Sequence, residues 1–224
     1  MSNPFLMRTG RLAVALFAAV CVLVVSGCSL GIMAGKMLFG DPHVTSEFAV
    51  QTGLKLEESD KQLLILCSAP HSIKLQSPSI EYDIIDGVAR RLRVQNVNVI
   101  DPDKVADWMD ENGQWDQMTD IAIPLKADYV AHLDLSTIRY REENSQNLYR
   151  GQADGYVYAY EIDDSDGNPT AQEVFRREFK STHPFAPVPA NSVSAEIFKK
   201  DYLDRLCGQL AMKFYDHRVA AEID

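Results

Sequence analysis

The sequence predicts an α/β (α+β) domain: a mixed β-sheet with an N-terminal strand–helix–strand unit, a three-stranded antiparallel meander and a C-terminal helix. Three observations predict it. Short apolar runs at Gln62–Cys67 and Asn96–Ile100 flank a stretch of helical period. Long period-two stretches follow one another from Asp128 to Ser181, separated by polar turns. An amphipathic run with helical spacing then follows, from about Asn191 to His217. A helix between two apolar strands makes a parallel crossover, and adjacent alternating strands make a meander.

The chain begins with Arg8 and Arg11 ahead of an uninterrupted apolar run, Leu12 to Val25, and then Ser26-Gly27-Cys28. A positive flank, a short apolar core and small residues leading to a cysteine read as a bacterial secretory signal peptide over residues 1–27. The step into Cys28 resembles a lipobox. That resemblance implies acylation of Cys28, palmitate included, and a mature chain anchored to a membrane through lipid. The same segment has a second reading as an uncleaved single-pass anchor. No charge falls between Leu12 and Gly35, and a span needs about 20 apolar residues. Gly27, Gly31, Gly35, Ser26 and Ser29 weaken the second half of such a span. The flanking arginines place the remaining chain outside the cytoplasm in either case. In a cell with two membranes, Ser29 after the lipidated cysteine directs the protein to the outer membrane, facing the periplasm.

Removing the leader's two arginines from the 22 Lys+Arg, against 32 Asp+Glu, leaves a formal charge near −12. That sign opposes nucleic acid and anionic lipid head groups, so no nucleic-acid partner is expected. Hydrophobic residues make up 46% of the chain, enough for a packed core rather than a disordered tail.

Residues 28–60 read as a lipidated tether, because Gly31, Gly35, Gly40, Pro42 and Gly53 interrupt any regular period. Residues 61–224 form the single periplasmic domain. Leu63–Cys67 is a strand buried on both faces. Ala69–Gln76 is a loop, and Ser77-Pro78 supplies a cap and a first-turn proline for a helix running to about Arg93. Asn96–Ile100 is the second strand. Asp101-Pro102 starts a short helix that Gly113 ends, and another helix follows from Trp115 to about Lys126.

In the strand from Asp128 to Tyr140, Tyr129, Ala131, Leu133 and Leu135 face one way. His132, Asp134 and Ser136 face the other. The next strand, Asn147–Ile162, puts Gly151, Ala153, Gly155, Val157 and Ala159 on one face and Tyr156, Tyr158 and Tyr160 on the opposite one. A turn at Asp163–Asn168 leads to a third strand, Gln172–Ser181. Pro184–Pro189 is an extended connector, and Asn191 or Ser192 caps the final helix.

Four features were candidates for chemistry. Cys67 and Cys207 either form a disulfide or are separately buried thiols, and their spacing fits no zinc pattern. The acidic turn places Asp164, Asp166 and Glu173 at calcium-loop positions, yet Ile162 occupies the first one without an oxygen. His132 and Asp134 share a strand face, with His71 in an earlier loop, but no nucleophile has a recognisable setting. The stripe Tyr156, Tyr158, Tyr160 either packs beneath a helix such as the last one or forms a strip for a partner protein or glycan. No catalytic residue, metal or cofactor is assigned, and the chain is expected not to be an enzyme.

The order Leu63–Cys67, helix, Val97–Ile100, then Leu125-Lys126-Ala127-Asp128-Tyr129-Val130 entering a long strand resembles the "gADYv" step of certain periplasmic domains. Those domains occur in the curli secretion lipoprotein and at the N-terminus of the Tol–Pal β-propeller protein. Arg141-Glu142-Glu143-Asn144-Ser145, Leu148-Tyr149-Arg150-Gly151 and Lys213-Phe214-Tyr215 resemble uncharacterised bacterial envelope lipoproteins of that fold. The likeness covers residues 60–217 and carries over no catalytic residue, since those families work by assembly and binding. It implies a membrane-anchored lipoprotein with an envelope protein partner, acting as a binding or assembly factor. The alternative is a subunit of an oligomeric export pore, or a single-pass anchored protein of the same fold. A curli-type pore needs additional membrane strands, whereas one long hairpin is available here, with Gly and Ala on its apolar face.

Overall fold

The computed structural model describes residues 43–165 and 167–218. The expected signal peptide over residues 1–27, Cys28 and residues 28–42 of the expected tether lie outside the described residues. The chain divides into one unit of residues 1–43 and 218–220 and a second holding Val44–His217, to which all the elements below belong.

The predicted α/β (α+β) class is the one the structure shows. Four strands form a mixed sheet: β1 (Leu63–Ser68), β2 (Tyr129–Arg141), β3 (Leu148–Asp163) and β4 (Thr170–Pro189), in the order β1-β2-β3-β4. β1 runs parallel to β2, with Leu63 opposite Tyr129 and Ser68 opposite Asp134. β2, β3 and β4 are the expected antiparallel meander. Leu63 to Cys67 are all buried, because both faces of β1 are covered.

The crossover helix is α3 (Ile80–Val94), which buries Ile80, Ile84, Ile85, Val88, Ala89 and Leu92. It starts later than the Ser77-Pro78 signal predicts. Ser79 precedes it and bonds Asp83 with its hydroxyl (2.8 Å), while Pro78 stays in the turn. The loop expected over Ala69–Gln76 contains a short helix, α2 (His71–Gln76), nucleated by Ile73 N–H bonding the Pro70 carbonyl at 2.9 Å. The second strand of the crossover shrinks to one parallel bridge between Leu63 and Val99. Asn96, at φ 63°, turns the chain, and Asp101 already caps the next helix, so little length remains to pair.

That next helix, α4 (Pro102–Asn112), starts at Asp101 and ends at Gly113, as its signals require. The helix after it, α5 (Met118–Ala122), is much shorter than predicted. Asp120 accepts from the N–H groups of Asp116 (3.2 Å) and Gln117 (2.8 Å), which fixes the start at Met118.

The structure also differs over the end of the expected tether. Residues Glu47–Thr52 form α1, capped by Ser46 Oγ, which accepts from Ala49 N–H at 3.1 Å. Phe48 is fully buried, with ring centroids of Phe175, Tyr129 and Phe214 within 5.9 Å. Glycine-rich sequence signalled a break in period, but the fold fills that break with one aromatic anchor.

The last helix, α6 (Ala195–Ala211), is capped by Ser194, whose Oγ accepts from Ile197 N–H at 3.2 Å. Neither Asn191 nor Ser192 caps it, because Ser192 closes a turn onto the Pro189 carbonyl through both N–H and Oγ. It stops before His217, since tight turns at Lys213 and Phe214 swing Phe214 into the core. The predicted connector Pro184–Pro189 belongs to β4. Tyr149 pairs with Val188 and Gly151 with His183, so Pro184–Pro187 bulge out opposite Arg150 alone.

Two cores result. The larger lies between the sheet and α1, α3 and α6, and includes Ile65, Ala131, Val157 and Phe175. The smaller lies on the other face, where α4 and α5 cover Leu64, Leu66 and Val130 with Val105, Ile121 and Ala122. Cys67 and Cys207 are both buried, unbridged thiols in the larger core.

Candidate partner-binding surface

Alternation along the strands assigns the site. Odd-numbered residues of β3 enter the larger core, and even-numbered ones turn to the second face, where α4 and α5 cover β1, the start of β2 and the end of β3 around Tyr160 and Ile162. Register then sets the columns: His132 opposite Tyr158 opposite Arg176, and Asp134 opposite Tyr156 opposite Glu178. Trp115, from the segment between α4 and α5, meets the His132 ring edge-on at 6.1 Å.

The aromatics form one stack. His132 lies against Tyr158 at 5.9 Å and 22°, and Tyr158 against Tyr160 at 6.3 Å and 24°. Tyr156 continues it at 6.0 Å and 32°. The guanidinium of Arg176 covers Tyr156 and Tyr158 at 5.2 and 5.3 Å, a cation–π arrangement that holds both rings upright. Ring faces are therefore occupied by one another and by arginine, and ring edges are what the stack presents. Edge-presenting, half-buried tyrosines suit the mixed polar and apolar surface of a protein partner better than flat stacking of a sugar ring.

Beside the stack, Ser68 Oγ donates to Asp134 Oδ1 at 3.0 Å and lies 2.8 Å from His132 Nε2. A hydroxyl has one proton to give. With that proton on Asp134, Nε2–H of a neutral imidazole donates to Oγ. Burial pushes the His132 pKa below its ordinary value, against the opposing pull of Asp134. The serine stands between histidine and carboxylate. In the relay that activates a serine nucleophile the histidine stands in the middle, so this trio is a positioning network for the His132 ring.

The predicted site residues separate accordingly. His132 and Asp134 join the tyrosine stripe in one surface. The stripe does not lie beneath the last helix: α6 packs on the opposite face, where Tyr202 rests on Gly151. Tyr160 packs against the smaller core, and burial, followed by the Glu173 charge, raises its pKa. His71 is exposed on α2, and among the described residues no hydrogen bond joins it to the trio. In the acidic turn, Ser165 N–H bonds Asp163 Oδ1 at 2.9 Å and Gly167 takes φ 70°. Asp166 lies outside the described residues. Ile162 pairs with Ala171, so strands flank the turn where a calcium loop has helices.

Ser68, Trp115 and Arg176 are the members that sequence reasoning missed. Each reaches the surface through strand register or the α4–α5 turn, and a linear pattern encodes neither. A stretch of alternating residues opposite the tyrosines was the available signal for Arg176.

No family model matches the chain, and no curated protein matches it. Solved structures similar to it include the PelC dodecamer from Paraburkholderia phytofirmans, at 12% identity and a TM-score of 0.39, over 79% of this chain and 98% of that one. The lipoprotein GNA1162 from Neisseria meningitidis is 12% identical with a TM-score of 0.37, over 67% of this chain and 98% of that one. The hypothetical protein CT253 from Chlamydia trachomatis is 11% identical with a TM-score of 0.32, over 68% and 98%. At these values they assign no function to this chain. Among the described residues no helix is long and apolar enough to cross a membrane.

Proposed function

We propose that this protein is a lipoprotein of the cell envelope, held at the outer membrane by lipid on Cys28, that works without catalysis as a binding or assembly factor. Its aromatic surface docks an envelope protein partner. The observation that supports this reading most is the His132–Tyr158–Tyr156 stack under Arg176, half-buried on the sheet face that α6 leaves open. An ordered aromatic–arginine patch has the composition enriched at protein interfaces.

The test is cross-linking followed by co-purification from envelopes, with full-length protein extracted in mild detergent. A Tyr156→Ser, Tyr158→Ser chain is expected to lose the partners that the unaltered chain retains. Identical partner sets would remove this surface from the proposal. Mass spectrometry of the same sample reads the N-terminus: an acylated chain starting at Cys28 supports the anchor, and an unprocessed chain overturns it.

A further inference from the structure

Arg176 holds its guanidinium over the rings of Tyr156 and Tyr158, and spends none of its N–H groups in doing so. Other guanidinium groups of the domain are occupied. Arg91 meets Asp204 at 2.7 Å, Arg150 meets Glu142 at 3.1 Å and Arg177 meets Glu47 at 3.1 Å. Arg139 donates to Gln152 Oε1 at 2.6 Å. Among the described residues no carboxylate lies within 4.0 Å of the Arg176 guanidinium, and no oxygen accepts from it. Its donors, five in a planar fork, all remain.

The tyrosines beneath it are unspent too. Tyr129 donates its O–H to Glu161 at 2.6 Å, and Tyr202 to the Ser181 carbonyl at 3.3 Å. The hydroxyls of Tyr156 and Tyr158 donate to no described residue, and neither oxygen is sealed from water. All the groups exposed here share one sign. A guanidinium is cationic, a phenolic O–H is a donor, and the edge of an aromatic ring is the positive end of its quadrupole. Ring faces, the negative ends, are covered by neighbouring rings and by Arg176 itself. What the patch offers outward is complementary to an anion.

Acids border the patch and set its size. Register puts His132, Tyr158 and Arg176 in one column, which holds no carboxylate. Glu173 lies opposite Tyr160 on one side, and Asp134 and Glu178 flank Tyr156 on the other. Lys180 holds Glu178 at 2.8 Å, and Asp134 accepts from Ser68 at 3.0 Å. A run of acids would meet Glu173 and Asp134, whereas one carboxylate among neutral residues fits between them. The same border favours a singly charged planar group over a doubly charged phosphate.

We infer that Arg176, with the hydroxyls of Tyr156 and Tyr158, takes a single glutamate or aspartate side chain of the partner protein. The inference rests on the docking role proposed above and names the group that this surface recognises. A guanidinium takes a carboxylate through two parallel N–H···O bonds. The cation–π seat fixes the arginine beforehand, so little rotamer freedom is lost on docking.

The probes are the peptide acetyl-Ala-Leu-Glu-Leu-Ala-amide and its twin with glutamine in place of glutamate. Each is titrated into isotope-labelled full-length chain in mild detergent, and NMR follows the Arg176 Nε–H and the tyrosine rings. The glutamate peptide is expected to shift those signals and to bind roughly tenfold tighter than its twin. Arg176→Gln is expected to abolish that preference, and Arg176→Lys, which keeps the charge without the fork, to retain part of it. Arg176 is exposed, so unchanged circular dichroism is expected for both variants. Equal binding of the two peptides overturns the inference, as does a preference that survives in Arg176→Gln. Inorganic phosphate binding tighter than the glutamate peptide, through the same signals, assigns the patch to phosphate and also overturns it. Cross-linking in envelopes separates this inference from the docking role. Partners lost from both the Tyr156→Ser, Tyr158→Ser chain and the Arg176→Gln chain support it. Partners lost only from the tyrosine variant leave the docking surface standing and overturn the carboxylate contact.

Discussion

The ring of Tyr202 occupies the space that a side chain at position 151 would need: a Cβ built on Gly151 collides with it. The α6 helix seats on β3 at this contact, and Tyr202 O–H reaches the Ser181 carbonyl at 3.3 Å on β4. One aromatic ring therefore ties the last helix to two strands.

Gly151→Ala is expected to destabilise the fold, because backbone and a packed ring must both give way. Overpacking of this kind costs about 1–3 kcal/mol. Urea unfolding followed by circular dichroism checks it, and an unchanged midpoint would show that Tyr202 repacks freely.

Phe48→Ala removes a fully buried ring that touches three other aromatics. The expected loss is about 3–5 kcal/mol. A chain that starts at residue 61 loses the same ring, and is expected to unfold at lower denaturant than one that starts at residue 43.

Stability should depend on the charge of His132. Its pKa in the fold lies below its ordinary value through burial, so the unfolded chain binds the proton more readily. The contribution is fully present above the unfolded value of about 6.5 and is lost as pH falls from there towards the folded value. Removing the group by His132→Gln should flatten the stability profile in that window. Parallel profiles for the two proteins would show that His132 titrates alike in both states.

Cys67 and Cys207 should resist thiol reagents in the folded protein. Burial raises the Cys67 pKa well above its ordinary value and pushes Cys207 up to about 12, and the thiolate is the reactive form. Maleimide labelling of both is expected only as fast as the domain opens. Rapid labelling of either in native conditions would contradict the buried placement.

The elements most legible in the sequence were those with long periodic runs: β2 and β3, whose alternation assigned both faces residue by residue, and α4, whose cap and stop signals were both local. Misplaced boundaries trace to competition between local signals and distant partners. Ser77-Pro78 carried a good helix start, yet packing of Ile80 began the helix two residues later. The Pro184–Pro189 segment read as a connector because proline weakens strands, while pairing of Val188 with Tyr149 kept it in the sheet. The candidate surface was half visible. His132, Asp134 and the tyrosines followed from alternation, but Arg176, Ser68 and Trp115 join them only through register and a helix turn.

The seating of Phe48 also sets a length. With described structure beginning at the strand His43–Val44, only residues 29–42 could separate it from an anchor on Cys28, where a tether to residue 60 would offer more than twice as many. Fully extended, 14 residues reach about 50 Å at most. The aromatic surface would then work within that reach of the membrane, and a partner anchored farther away would have to come to it.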